Sequence, residues 1–464
     1  MSAERSLPVI WWIRRDVRLH DNPALQAALQ QAETVIPVFI LDEKLLARSN
    51  PRRNAFLFEN LRQLEKELRQ RGSRLIVRHG DPRDCLQQIL RESNAHMIFA
   101  QRDHSPYAQM RDADIAAVLP LTLTAGITIQ PESRVRKEDG TPYTVFTPYA
   151  RAWMKHLDPI TIFEPPPRFQ PIADLYSEPI PPSQPDPLFP AGEENALQQL
   201  RSFLSDRAAS YHLDRDLPAV EGTSRLSPSF HLGVLSSRQV FHEAHSLAHS
   251  SPERSGFDTW INELLWREFF TMILANFPQV VQGPFREKYS HLQWRNDERE
   301  FIAWKNGLTG YPLVDAGMRE LQETGWMHNR VRMVVASFLC KDLLTNWQCG
   351  EEWFLQNLID GDLAANNGGW QWSAGTGTDA VPYFRVFNPI TQSKRFDSAG
   401  NYIRRWLPEL SSIPAQYIHT PWKMPLDVQQ DLGCRIGVQY PTPLVEHATA
   451  RQRSLAVYQQ VKDN

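Results

Sequence analysis

VIWWIRRDVRLHDNPALQAALQQAETVIPVFIL, residues 9–41, decides the fold class. Two apolar runs, 9–17 and 34–41, flank a segment whose apolar residues recur at three- and four-residue spacings. Short apolar runs bounded by turn signals suit buried strands, and the 3.6-residue period suits a helix. Asp21 or Asn22 can cap that helix, with Pro23 in its first turn. The alternation continues with apolar runs at 73–80, 96–103 and 127–133, separated by the helical patterns FLFENLRQLEKELRQRG, RDCLQQILRES and YAQMRDADIAAVL. Strand–helix alternation predicts a parallel, doubly wound sheet with right-handed crossovers.

Ligands on such Rossmann-like sheets sit at the carboxyl ends of the strands. Here no G-x-G-x-x-G follows the first strand and no GxxxxGK[ST] occurs, so the topology carries no dinucleotide or Walker fingerprint. Ten prolines between Glu164 and Pro190 exclude regular structure and predict a semi-rigid linker. From about Glu193 every patterned segment is helical. The expected organisation is an α/β domain over 1–135, a linker over 136–192 and an all-α domain over 193–464.

The 464 residues suffice for a substantial core, and 42% hydrophobic with 22% charged residues is ordinary globular composition. The longest apolar runs, such as Thr34 to Leu41, fall far short of the ~20 residues of a membrane span. The start, MSAERSLP, has no apolar core of a secretory signal. Cys85, Cys340, Cys349 and Cys434 form no CxxC, which suits buried thiols in a reducing compartment and no zinc site. A cytoplasmic location, in bacterial cytosol or nucleoid, and a monomer are expected. A net charge of −3 argues against a globally basic nucleic-acid binder, so such binding would need a local patch. Of 14 tryptophans, 11 lie at or after Trp260. Core indoles are the plain explanation, but their clustering asks for another.

Four segments carry chemistry. In EGTSRLSPSF, Thr223, Ser224 and Ser227 place hydroxyls and backbone N–H groups at a helix start, which suits phosphate; simple capping is the bland role. Tyr211 and Arg215 upstream could add a ring and a cation. In TWINELLWREFF, Trp260, Glu263, Trp266 and Arg267 form one helical stripe of indole, carboxylate, indole and guanidinium. A solvated Glu–Arg pair is the alternative, weakened because indoles prefer to be covered. In TGWMHNRVRMVV, Asn329, Arg330, Arg332 and Met333 crowd a turn and a half; the two arginines face different ways, so one could serve phosphate and the other a buried anion. His328 reads as a structural histidine. In LIDGDLAANNGGWQWSAGTGTD, Asp360 and Asp362 flank Gly361, and Trp370 and Trp372 alternate around Gln371. Paired carboxylates for hydrolysis and a Mg²⁺ site are rivals there, but neither explains the aromatics. Amides, carboxylates, guanidinia and indoles together fit redox chemistry on a bound heterocyclic cofactor better than hydrolysis.

WWIRRDVRLHDNPAL, EGTSRLSP, NELLWREFF, GYPLVDAGMRELQETGWMHNRVRMVVASFLCKDLL and LIDGDLAANNGGWQWSAGTGTD resemble the photolyase/cryptochrome flavoproteins over nearly the whole chain, most closely the class I cyclobutane pyrimidine dimer photolyases. The resemblance implies an amino-terminal antenna domain, a carboxy-terminal helical FAD-binding domain and a U-shaped FAD. By motif, Tyr211 and the run Thr223, Ser224, Arg225, Leu226 and Ser227 would hold the diphosphate and ribityl side. Trp260, Glu263, Arg267, Asn329, Arg332, Asp360, Gly361 and Asp362 would line the pocket, with Asn366 facing flavin N5. Reduced anionic FAD would donate an electron to a dimer flipped out of DNA. Trp266 and Trp372 would wall the flipped dimer, and Glu263, Asn329 and Met333 would contact it. Arg215, Arg330, Arg385 and Lys394 would bind phosphates as the local basic patch. Trp370, Trp347 and Trp294 would pass electrons from the surface to the flavin.

Within the family, Asn366 stands where plant-type cryptochromes carry Asp and animal-type ones Cys. Asn329 and Met333 replace the paired histidines of (6-4) photolyases. Both features favour the cyclobutane lesion over a blue-light receptor or (6-4) enzyme. For the antenna, Tyr107 and Ala108 replace a folate-type Asn-Glu pair, whereas Arg53 and Asp103 match deazaflavin-type relatives, with Ser105 replacing one acidic partner. A deazaflavin is expected ahead of methenyltetrahydrofolate or FMN.

Overall fold

The computed structural model describes residues 7–463; the stretch 1–6, part of the start read above for a signal, lies outside them. Five parallel strands, β1 (Val9–Ile13), β2 (Val35–Leu41), β3 (Ile76–His79), β4 (Met97–Gln101) and β5 (Leu121–Thr124), form one sheet in the order β3-β2-β1-β4-β5. β1 and β2 are buried along their whole length, as strands covered by helices on both faces should be. Asn22 caps the helix Pro23–Gln31 by accepting from the N–H groups of Ala24 and Leu25. Helices follow the strands throughout, giving the doubly wound sheet expected from the sequence.

One strand lies elsewhere. The expected strand 127–133 is irregular, and the fifth strand is Leu121–Thr124. Residues 127–130 are buried, so they read as a strand, but side chains satisfy their backbone. The Ile127 carbonyl accepts from Arg267 Nη1 at 2.7 Å and Ser237 Oγ at 3.1 Å, and the Ile129 N–H donates to Glu268 Oε2 at 2.9 Å.

No helix or strand occurs between Lys155 and Glu193. The proline-rich segment instead covers the edge of β3: Val77 N donates to Ser177 Oγ at 2.9 Å, and Glu178 N donates to the Val77 carbonyl. An edge strand so covered cannot pair with another chain.

The chain forms two compact units. One takes the residues up to Ala209 with Ser224–Pro278 and Ile359–Ala364; the other takes Ser210–Thr223, Gln279–Leu358 and the residues from Ala365 onward. The second unit has a core of buried aliphatic and aromatic side chains around Trp304, Leu313, Val335 and Trp370. Inside it the helix Asn329–Ser337 continues as a π-helical turn, Phe338–Asp342. Among the described residues no strand follows β5, and no helix is long and apolar enough to cross a membrane. All four cysteines are free thiols.

Candidate functional site

In the first unit, charged groups gather at the carboxyl end of β1. Arg15 Nη2 meets Asp362 Oδ2 at 2.5 Å, Nη1 lies 3.7 Å from Asp103, and Nε donates to the His231 carbonyl at 3.0 Å. Burial alone would lower the Arg15 pKa, but Asp362 and Asp103 raise it above the ordinary value. Burial also works to raise the Asp103 carboxyl, yet Arg15, the Ser105 N–H and Arg14 hold it below the usual range. Burial lowers the Arg53 guanidinium, and Asp360 partly restores it. His231 is pushed down to about 3, first by burial and then by Arg15 and Arg53, so it is neutral. The proposed antenna residues Arg53 and Asp103 thus share one electrostatic cluster with Asp360 and Asp362. Beside it, Arg102, Asp103, His104, Gln109, Glu132 and Arg136 line a cavity of about 390 Å³.

The helix Arg254–Asn276 carries the aromatic stripe. Trp260 is buried against Phe203, with ring centroids 4.8 Å apart. Trp266 stacks on Phe146 at 3.7 Å with planes 7° from parallel. Arg267 anchors the Ile127 carbonyl and sits 3.6 Å from Glu268. Nearby, the Ser224 carbonyl accepts from Gln199 Nε2 at 2.8 Å, and Arg225 takes a left-handed φ of 52°. The helix Ser227–Leu232 starts after Leu226, which provides no side-chain cap. Side-chain capping therefore does not account for this helix start, and backbone N–H groups at such a start suit an anion. The stretch Ser224–Ser227, with Trp260, Arg267, Asp360 and Asp362 in the same unit, fits a nucleotide bearing a diphosphate.

The second unit holds the remaining residues. Tyr211 is buried beneath the guanidinium of Arg215 at 5.5 Å. Arg330 pairs with Asp216 at 2.8 and 3.2 Å and lies over the Phe396 ring. Arg332 donates to the Met327 carbonyl at 2.8 Å, so the two arginines do diverge. His328 accepts the Arg330 N–H on Nδ1, capping the helix that Asn329 begins. Met333 and Trp372 are half-buried, while Arg385 and Lys394 are exposed. Asn366 donates to the Glu351 carbonyl at 2.9 Å, and Asn367 donates to the Glu351 carboxyl at 2.9 Å. Burial pushes that carboxyl up to about 7. Trp370 and Trp347 are each 2% exposed; Trp294 is half-buried and meets Tyr458 edge-on.

Arg15, His231 and Glu268 were not singled out from the sequence. Arg15 lay within reach of sequence reasoning, because RRDVRLHDN leaves the carboxyl end of β1, where ligands on such sheets gather. His231 and Glu268 show no local pattern.

Residues 9–171 match the family model described as DNA photolyase, and residues 260–460 match the FAD binding domain of DNA photolyase. A deoxyribodipyrimidine photo-lyase of Synechococcus is 38% identical, covering 98% of this chain and 97% of its own. Among solved structures, a class III photolyase of Agrobacterium tumefaciens has a TM-score of 0.93 at 36% identity, covering 100% and 99% of the two chains. A cryptochrome of Synechocystis has 0.90 at 30%, covering 97% and 99%. A photolyase of Sulfolobus tokodaii, solved with two FAD molecules, has 0.84 at 31%, covering 98% and 100%. With two family models matched along its length and relatives this similar from end to end, the chain belongs to the DNA photolyase family.

Proposed function

We propose that the protein is a deoxyribodipyrimidine photo-lyase, a carbon–carbon lyase that repairs cyclobutane pyrimidine dimers in DNA with the aid of light. Asn366 carries this reading: it is neutral, and its donation to the Glu351 carbonyl leaves Oδ1 as the accepting end. A neutral acceptor facing flavin N5 tolerates an anionic reduced ring that a carboxylate would repel. When bound, reduced FAD supplies the light-driven electron that opens the cyclobutane ring.

The chain's own residues do the rest. The Thr223–Ser227 turn and Tyr211 hold the diphosphate side; Trp260, Arg267, Arg332, Asp360 and Asp362 hold the remainder. Trp266 and Trp372 wall the flipped dimer and exclude water. Glu263, when protonated, donates to a pyrimidine carbonyl where negative charge develops. Arg215, Arg330, Arg385 and Lys394 bind phosphates, and Trp370, Trp347 and Trp294 supply electrons that keep the cofactor reduced. Arg53 and Asp103 support a second chromophore of the deazaflavin type in the amino-terminal domain.

The test is illumination of the reduced holoenzyme with an oligonucleotide carrying one cyclobutane dimer, and in parallel one (6-4) lesion. Restoration of the first alone is expected. Repair of neither would favour a cryptochrome-type blue-light receptor; repair of the second alone would reassign the lesion. Extraction of chromophores from natively expressed protein separates deazaflavin from folate, FMN or a second FAD.

A further inference from the structure

Phe146 opens the helix Phe146–Lys155, inside the stretch 136–192 expected to be linker. Phe146, Tyr149 and Trp153 recur at three- and four-residue spacing, so they share one face of that helix, and all three are buried. Within the first unit that face is held along its length. Tyr149 packs on Phe269 with ring centroids 5.4 Å apart, Trp153 meets Phe241 edge-on at 5.2 Å, and the Trp153 carbonyl accepts from Gln130 Nε2 at 3.3 Å. Phe146 itself meets Phe269 edge-on at 5.9 Å. This seated ring covers Trp266 on the helix Arg254–Asn276: the two rings lie 3.7 Å apart and 7° from parallel, a flat stack. Phe269 meets the indole edge-on at 5.8 Å, and Phe270 lies tilted by 34° at 5.4 Å. Trp260 on the same helix is 3% exposed and serves the core, whereas Trp266 stays half-buried. Trp266 thus has its plane fixed from behind and still keeps accessible surface. A side chain whose rotation must be frozen when a ligand packs on it loses affinity, and packing it beforehand removes that loss.

We propose that Phe146 is a positioning residue for lesion recognition: it holds the Trp266 plane in the orientation against which the flipped dimer packs. This rests on the reading of Trp266 as a wall of the dimer site. Phe146 need not touch DNA, because its effect passes through the indole. Leucine at 146 would keep an apolar side chain there but present no flat ring, leaving the indole free to rock. Tyrosine would keep the ring.

Binding isotherms of the intact holoprotein in the dark, with a duplex carrying one cyclobutane dimer and with the same duplex undamaged, give the preference for the lesion as the undamaged Kd over the dimer Kd. Phe146→Leu should lower that ratio about two- to tenfold, the loss expected from immobilising one side chain on binding. FAD content and binding to the undamaged duplex should stay as in wild type. Phe146→Tyr should keep the ratio. Trp266→Ala should lower it at least as far as Phe146→Leu, and adding Phe146→Leu to Trp266→Ala should lower it no further, because the two side chains act as one unit. An unchanged ratio in Phe146→Leu, with Trp266→Ala lowering it, would overturn the proposal and leave the wall reading standing. So would a loss in Phe146→Tyr equal to that in Phe146→Leu, or additive losses in the double variant. An unchanged ratio in Trp266→Ala would fault the wall reading itself, and the proposal with it. If Phe146→Leu folds poorly, Phe146→Met, also apolar and without a ring, takes its place in the same comparison.

Discussion

The side-chain amide of Asn366 donates to the backbone carbonyl of Glu351 at 2.9 Å, so the helix Trp347–Asn357 sets which end of that amide points away. An aspartate at 366 would put an acceptor against that carbonyl and a charge where the flavin is expected. Asn366→Asp should therefore lower the midpoint potential of bound FAD by tens of millivolts, about 30 mV per 1.4 kcal/mol for a two-electron couple. Spectroelectrochemical titration of the two holoproteins checks this. Equal potentials would place Asn366 away from the flavin.

Trp370 packs against a position that only glycine fits. A Cβ on Gly350 would lie 2.2 Å from Cη2 and 2.4 Å from Cζ3 of the indole. Gly350→Ala should destabilise the protein by about 1–3 kcal/mol in urea unfolding. Trp370→Phe removes the two nearest obstructing atoms and leaves Leu339 Cδ2 at 2.7 Å, so the double variant should be less destabilised than the sum of the single ones, by about 0.5 kcal/mol or more. In the same Trp370→Phe protein, photoreduction of oxidised flavin should stop while pre-reduced enzyme still repairs DNA. Unchanged photoreduction would remove Trp370 from the electron path.

Glu268 is buried beside the irregular segment it anchors, and burial pushes its carboxyl up to about 7 against the pull of Arg267. A raised acid holds its proton in the folded state at pH values where the unfolded chain has released it. Stability is then unpenalised below the ordinary carboxylate range and falls as pH rises towards 7. Glu268→Gln keeps an acceptor for the Ile129 N–H without the titration. The melting temperature of wild type relative to Glu268→Gln should decline between about pH 4.5 and pH 7, a difference of order 3 kcal/mol across the window. Parallel profiles would mean that Arg267 holds Glu268 ionised throughout.

These residues also mark what the sequence could reveal. β1 to β4 were legible because strands covered on both faces must be continuous apolar runs. β5 was not, because Leu121–Thr124 is only half-buried along its length, while the neighbouring 127–130 is buried without being a strand. The aromatic and amide-rich segments were legible because their residue types and spacing are local. Arg15 and Asp362 are 347 positions apart, and no periodicity links them. His231 and Glu268 depend likewise on burial and on partners that only the fold supplies.

Arg330 was expected to bind DNA phosphate, and its guanidinium is held by Asp216 over the ring of Phe396. Both groups are partly exposed, with 18% and 32% of their side-chain surface accessible, so the pair is worth little in water and can exchange Asp216 for a phosphate. If Arg330 takes a phosphate, Asp216 competes with DNA for the same donor. Removing the competitor should strengthen binding to undamaged and damaged duplexes alike, because a phosphate contact carries no lesion information. Arg330→Ala should do the reverse, weakening both and flattening the salt dependence by about one unit of slope. Preference for the dimer should persist in each variant. Binding isotherms for Asp216→Asn and Arg330→Ala over a salt series measure both quantities. If Arg330→Ala kept the slope but lost the preference, Arg330 would act on the flipped lesion. If Asp216→Asn changed neither affinity nor slope while Arg330→Ala lowered the melting temperature, the pair would be a structural tie of the helix Asn329–Ser337 and no part of the DNA surface.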